Sequence, residues 1–190
     1  MRYGLPVIVI LIVIILSSCT IRKTGTTCEL SNTQHKSFDS IVNAPFTSVK
    51  AKSVDLLNVL VSCIENQDQS ALTSLFAPSI TASDTFQQQC ADLFAFFDGT
   101  MESYEWQAAS THVIKNSSVY RETKVSYDIL TAETSYRLSI QYCSKDDQNS
   151  KNVGIHSLYI IRFEDTNPKY AYWGDGNWTP GINVVTEPQA

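Results

Sequence analysis

The chain has no C-x-x-C pair, no Gly-rich phosphate loop, no G-x-S-x-G elbow and no H-E-x-x-H. Zinc and dithiol redox chemistry, nucleotide-phosphate binding, serine-hydrolase catalysis and metalloprotease chemistry therefore lack a sequence basis. Histidine is scarce at 3 residues, and positive charge is the minority sign: 14 Lys and Arg against 19 Asp and Glu, a formal net charge of −5. The longest run of adjacent basic residues is Arg22-Lys23. Two charges are too few for a nucleic-acid face or for electrostatic docking on an anionic bilayer. These absences predict no metal, no cofactor and no nucleic-acid partner.

Long apolar runs are missing too, with one exception at the start. An uncharged stretch from Gly4 to Ser18 follows Arg2, carries an apolar core from Leu5 to Leu16, and ends in Leu16-Ser17-Ser18-Cys19. Basic start, apolar core and small residues before a cut are the three parts of a secretory signal, and a cysteine at the cut makes the end a lipobox. The expectation is a signal peptide over 1–18, cleavage before Cys19, and a diacylglyceryl group on the Cys19 thiol that holds the protein on the extracytoplasmic face of the cell membrane. An uncleaved signal anchor and ordinary secretory cleavage are the alternatives. The stretch is shorter than the about 20 apolar residues a spanning helix needs, and Pro6 interrupts it early.

The remaining cysteines are Cys28, Cys63, Cys90 and Cys143. Outside the cytoplasm four thiols can close two disulfides in three pairings, or Cys63, Cys90 and Cys143 can be small core residues.

Residues 20–45 are rich in Ser, Thr, Asn and Lys, lack an apolar period and end at Pro45. They read as a flexible tether, giving an organisation of signal peptide 1–18, lipidated Cys19 and tether 19–47, and one domain 48–190. From Ser48 the pattern becomes helical. Val54, Leu57, Val61 and Ile64 share a face that Leu56 and Leu60 widen; Asn66-Gln67-Asp68 interrupts it; Leu72, Leu75 and Phe76 form a short second helix stopped by Pro78. Ser83 or Asp84 is placed to cap a third helix carrying Phe86, Cys90, Leu93 and Phe97, closed by Asp98-Gly99. Beyond Gly99 the period falls to two. Strands are predicted around Tyr104–Ala108, Val125–Ile129 and Tyr136–Tyr142, each burying one face, and over Val153–Phe163, which is apolar on both parities and so covered on both sides. Thr131–Thr134 and Ser144–Asn152 read as a turn and a polar loop, with Asp146 and Asp147 as solvated charge. Helices followed by strands predict an α+β fold, three helices packed on one face of a curved antiparallel sheet.

Leu75-Phe76, Phe96-Phe97-Asp98-Gly99 followed by Ser103-Tyr104, the run Tyr136-Arg137-Leu138-Ser139-Ile140-Gln141-Tyr142, and Gly154-Ile155 after Lys145-Asp146-Asp147 occur in an order that resembles a family of Firmicutes lipoproteins. That family is built on a domain of unknown function with an NTF2-like, cystatin-like cone. The resemblance covers about residues 50–165. It implies a fold and a membrane address, and it brings no catalytic residues to carry over.

Two sets of side chains remain as candidates. His112 in the first strand and His156 in the fourth can in principle meet across the sheet as a proton-transferring base of a pocket enzyme, of isomerase, dehydratase or hydrolase type; surface or packed histidines are the plainer account, and His35 lies in the tether. Tyr172, Trp173 and Trp178 stand among Gly174, Gly176 and Gly181, where aromatic faces can stack on a sugar or a partner, or fold back to cap an open end of the cone. The functional expectation is a membrane-tethered surface lipoprotein without a catalytic set, binding a small ligand or an envelope protein.

Overall fold

The structure is a computed structural model that describes residues 36–115, 117–166 and 177–186. Cys19, Cys28, His35, Tyr172 and Trp173, on which several expectations rest, lie outside the described residues.

The helices come first. α1 (Phe38–Val42) starts at Ser37, whose hydroxyl accepts from the Ser40 amide, and buries Phe38, Ile41 and Val42. The reading of residues up to 47 as tether is corrected at this point: five residues with three apolar side chains are too short to show a period, yet they pack into the core. α2 (Val49–Glu65) is capped by Ser48 and buries Ser53, Leu56, Leu57, Leu60, Val61 and Ile64. It ends at Asn66, after which Gln67 adopts a left-handed backbone (φ 52°) and Asp68 caps α3 (Gln69–Leu75) through the Ala71 amide at 2.9 Å. A single turn with Pro at its start, α4 (Pro78–Thr81), precedes α5 (Phe86–Phe96), which buries Phe86, Cys90 and Leu93. The predicted cap is not used. Thr85 is the N-cap of α5 and makes no capping bond, while the Ser83 hydroxyl is engaged with the Thr85 hydroxyl at 2.9 Å. Among the described residues five α-helical segments thus precede the sheet where periodicity resolves three, because one- and two-turn helices leave no repeat to detect.

The sheet has the order β1-β2-β3-β4-β5. β1 (Met101–Lys115), β2 (Val119–Thr131), β3 (Ser135–Asp146) and β4 (Gly154–Arg162) form an antiparallel meander. β5 (Gly181–Val185) pairs parallel to β4, so the sheet is not wholly antiparallel. The helices share one core with the inner sheet face, to which β2 gives Val125, Tyr127 and Ile129, β3 gives Tyr136, Leu138, Ile140 and Tyr142, and β4 gives Ile155, Leu158 and Ile160. Burying one such side chain stabilises by about 1.5–3 kcal/mol.

The burial expectations hold unevenly. β4 is covered on both faces as its two-parity pattern predicts. β3 is also buried on both faces, including Arg137 and Ser139, because two strands flank it on each side. β1 is the opposite case, an edge strand wet over most of its length, where only Met101, Trp106, Gln107 and Ala108 are half-buried. On the outer face Arg137 makes two bonds to Asp128, Nε to Oδ1 at 2.6 Å and Nη2 to Oδ2 at 2.7 Å, and the hydroxyls of Ser126 and Ser139 meet at 3.1 Å.

Helix block and sheet are stitched at one tight place. The Ala77 amide donates to the Ile155 carbonyl at 3.0 Å, and Phe76 bridges Ile155. Gly154 (φ 138°) lies so close that a methyl group there would fall inside the backbone of Phe76 and Ala77. Gly154→Ala is expected to cost about 3 kcal/mol, from steric overlap and backbone strain together, as read from the urea midpoint at unchanged slope.

Cys63, Cys90 and Cys143 are free and buried, so among the described residues the thiols are core side chains rather than disulfide halves. Burial pushes the Cys63 thiol up to about 11, with the Asp68 charge adding to it, and burial alone pushes Cys90 up to about 11. A thiol whose folded pKa is raised above its ordinary 9.0 contributes stability that is complete below pH 9 and lost as pH climbs through 11. All three are expected to resist alkylation at pH 8 in the folded protein and to label together in denaturant, read by mass without reductant.

Candidate functional site

The polar interior lies at one end of the sheet, where α1 and the first turns of α2 meet β2 and β3. A cleft of about 120 Å³ opens there, lined by Val42, Thr47, Val49, Lys52, Arg121, Thr123, Tyr142 and Ser144. Each wall has a local cause. The Lys52 ammonium donates to the Val42 carbonyl at 2.6 Å, one of the groups that α1 leaves without an intrahelical partner, and so fixes one side. Ser53 turns its hydroxyl back to the Val49 carbonyl at 2.8 Å and meets the Tyr142 hydroxyl at 3.1 Å, which ties the helix to β3. Thr123 reaches the Thr111 hydroxyl at 3.2 Å.

Ser144 is the irregular element. Arg121 pairs with Lys145 and Glu122 with Cys143, so Ser144 is the extra residue of a β-bulge. A bulge redirects one side chain without ending the strand, and bulges collect beside functional sites. The Ser144 hydroxyl is buried, lines the cleft and makes no hydrogen bond. A buried hydroxyl left unsatisfied costs about 1–3 kcal/mol. Deeper in the core the Tyr127 hydroxyl is in a similar position: it approaches Ser53 without a well-formed bond. Burial raises the pKa of both Tyr127 and Tyr142, so these hydroxyls stay neutral.

The residues singled out from sequence are elsewhere. His112 is exposed on β1 opposite Glu122, and His156 on β4 places Nε2 2.5 Å from the Asn152 carbonyl oxygen. Two strands separate them, about 14 Å at the usual spacing, so they share no proton path. Asp146 is not idle solvated charge. It accepts from the Gln148 and Asn149 amides at 2.9 and 3.0 Å and from Asn152 Nδ2 at 3.0 Å, and the Asn152 bond, first among these contacts, holds its carboxyl below the usual range. Asp98 donates its backbone amide to the Tyr136 hydroxyl at 2.8 Å.

Trp178 lies on the outer face of the sheet, away from the cleft. Its ring meets Tyr159 edge-on at 6.4 Å between centroids, and the Lys124 ammonium sits 4.6 Å from its centroid. Around it the Thr179 amide donates to the Tyr159 hydroxyl at 3.1 Å and the Ser157 hydroxyl to the Thr179 carbonyl at 2.7 Å. The ring is half-buried and spans from β4 to β2, with a left-handed backbone (φ 54°) turning it down. Trp178→Ala is expected to destabilise by about 2 kcal/mol, in the range for truncating a partly buried aromatic, measured by urea unfolding.

Arg121, Lys52 and Ser144 escape sequence reading. Ser53 carries a faint signal, a hydroxyl within the apolar face of α2, whereas a bulge has no residue signature and so Ser144 has none.

No curated protein matches the chain. The pattern of one family does match, over residues 59–163, more than half of the sequence, from within α2 to just past β4. It takes in Arg121, Thr123, Tyr142 and Ser144 of the cleft, while Val42, Thr47, Val49 and Lys52 precede it. The chain belongs to the family defined by the domain of unknown function DUF5104.

Proposed function

We propose that this protein is a lipid-anchored surface protein of the Firmicutes lipoprotein type, held through Cys19 on the extracytoplasmic face of the cell membrane, whose domain binds a small ligand in the cleft at the α1, α2, β2 and β3 end. The anchor reading rests on Leu16-Ser17-Ser18-Cys19 behind an apolar run. An NTF2-like, cystatin-like cone is supported by the order of elements, a helix block followed by a meander whose inner face the helices share. The tether of this reading ends before Ser37, where α1 is capped.

The observation that carries ligand binding is the buried Ser144 hydroxyl, turned by a bulge into a cleft where Tyr142, Thr123 and Lys52 converge. Convergent polar groups in a concavity with apolar walls, here Val42 and Val49, are what small-molecule sites are made of. Trp178 and its neighbours belong to the packing of the outer sheet face in this reading.

Screening the mature full-length protein against metabolites and envelope extracts is expected to yield a saturable ligand; at 100 times its Kd it would stabilise the fold by about 2.7 kcal/mol. Ser144→Leu, which fills the cleft, is expected to abolish that stabilisation. A blank in both screens, or a ligand indifferent to Ser144→Leu, overturns the cleft as its site. For the anchor, Cys19→Ser is expected to move the protein from the detergent phase to the aqueous phase; a variant that stays with detergent refutes lipidation.

A further inference from the structure

We propose that the cleft is an anion site that takes the carboxylate or phosphate group of its ligand, an inference that rests on the reading of the cleft as a binding site. The chain is acidic overall, yet Lys52 and Arg121 line the cleft and no Asp or Glu does. Neither cation meets a carboxylate in the cleft, although Lys52 has the Val42 carbonyl as one partner. The first turn of α2 holds no acidic residue, and Lys50 and Lys52 sit near its N-terminus, the positive end of the helix dipole. Arg121 is directly opposite Lys145 across the β2–β3 pair, a like-charge pairing that is unfavourable. Lys145 is relieved by Asp147 at 3.4 Å, whereas among the described residues Arg121 has no acidic partner. A bound anion changes the sign of all these terms at once. It neutralises Arg121 and Lys52 at a corner where the first turn of α2 carries no acidic side chain.

The hydrogen-bond donors agree. The Ser144 hydroxyl is buried and unpaired, Lys52 spends one of its three N–H groups on Val42, and the hydroxyls of Thr47, Thr123 and Tyr142 share the wall. Lys52 and Ser144 keep N–H and O–H groups to donate, and Arg121 adds its guanidinium. The Thr47 proton goes instead to the Pro45 carbonyl at 3.0 Å, and the Tyr142 proton to Ser53, whose own proton is given to Val49. The volume sets the size: about 120 Å³ is the space of about four waters, enough for one carboxylate or phosphate group and too little for a nucleotide. The rest of such a ligand extends past the open mouth, beside exposed Val49. A soluble metabolite and a lipid headgroup both present this chemistry.

Two arms separate those sources: titration of the mature full-length protein with inorganic phosphate and acetate, followed by amide NMR, and co-sedimentation with phosphatidylglycerol or phosphatidylcholine vesicles, for which the protein is released from its anchor by Cys19→Ser. Saturable shifts at Thr123 and Ser144 are expected with phosphate or acetate, weakened at least 10-fold by Arg121→Gln and about 3-fold by Ser144→Ala. Neither variant is expected to lower the urea midpoint, since Arg121→Gln relieves the pairing with Lys145 and Ser144→Ala removes an unsatisfied buried hydroxyl, so weaker binding would not reflect a weaker fold. Arg121-dependent sedimentation with phosphatidylglycerol alone assigns the headgroup; free-anion binding without it assigns a soluble ligand. No saturation by either anion and no Arg121-dependent sedimentation overturns the inference, as does binding that Arg121→Gln leaves unchanged. A neutral ligand blocked by Ser144→Leu would overturn the anion inference while leaving the binding reading intact; no ligand of any kind would remove both.

Discussion

The apolar stripe of α2 lying in one core with the inner sheet face is the interaction from which the other positions follow. Leu56, Leu57, Leu60 and Ile64 join Tyr127, Leu138, Ile140 and Tyr142 there, most of them with no measurable exposure. Both ends of the helix are then pinned by polar contacts to other elements. At the C-terminal end the Glu65 carboxylate accepts the Met101 amide at 2.7 Å, where β1 begins, and at the N-terminal end Ser53 meets Tyr142. Hydrophobic burial is non-directional and would tolerate sliding, so these end contacts give the helix its register. The cleft exists because α2 reaches the bulged end of β3 while its Lys52 holds α1 against the same corner.

Much of this architecture is legible from residue order, and the parts that are not share a physical reason. α2 and α5 repeat their apolar residues over enough turns to fix a face, and the turn at Thr131–Thr134 closes as read, with the Thr131 amide donating to the Thr134 carbonyl at 2.9 Å. α1 and α4 are a turn or so long, below the length at which a period shows. β5 does carry an alternating signal in Ile182 and Val184, but its parallel pairing with β4 depends on how the preceding chain returns, and no local pattern encodes that. The wet faces of β1 follow from its place at the sheet edge, a property of topology rather than of Tyr104 or Trp106.

The candidate site is harder still to read. Arg121 and Lys52 are ordinary surface cations until the fold brings them to one concavity, and Ser144 is an ordinary strand serine until a one-residue register shift turns it inward. Rings and histidines attract attention in a sequence because their chemistry is conspicuous. Here the conspicuous residues are engaged in packing: Trp178 over Tyr159, and His156 against a loop carbonyl. The outer face is ordered in the same spirit by the Arg137–Asp128 pair, which is mostly withdrawn from water and tells β2 and β3 apart from any slipped alignment more than it adds to stability.

β1 raises a different matter, that of self-association. A 15-residue strand at a sheet border is a comb of backbone donors and acceptors that another chain can zip onto. Two irregularities, between Met101 and Ser103 and between Trp106 and Ala108, break the teeth of that comb near its start. Glu102 and Glu105 put charge on that same stretch, and Lys115 ends the regular one. Many copies crowded side by side would therefore find only the half from Ala108 to Lys115 regular enough to share, so the early irregularities halve the length of border open to a neighbour.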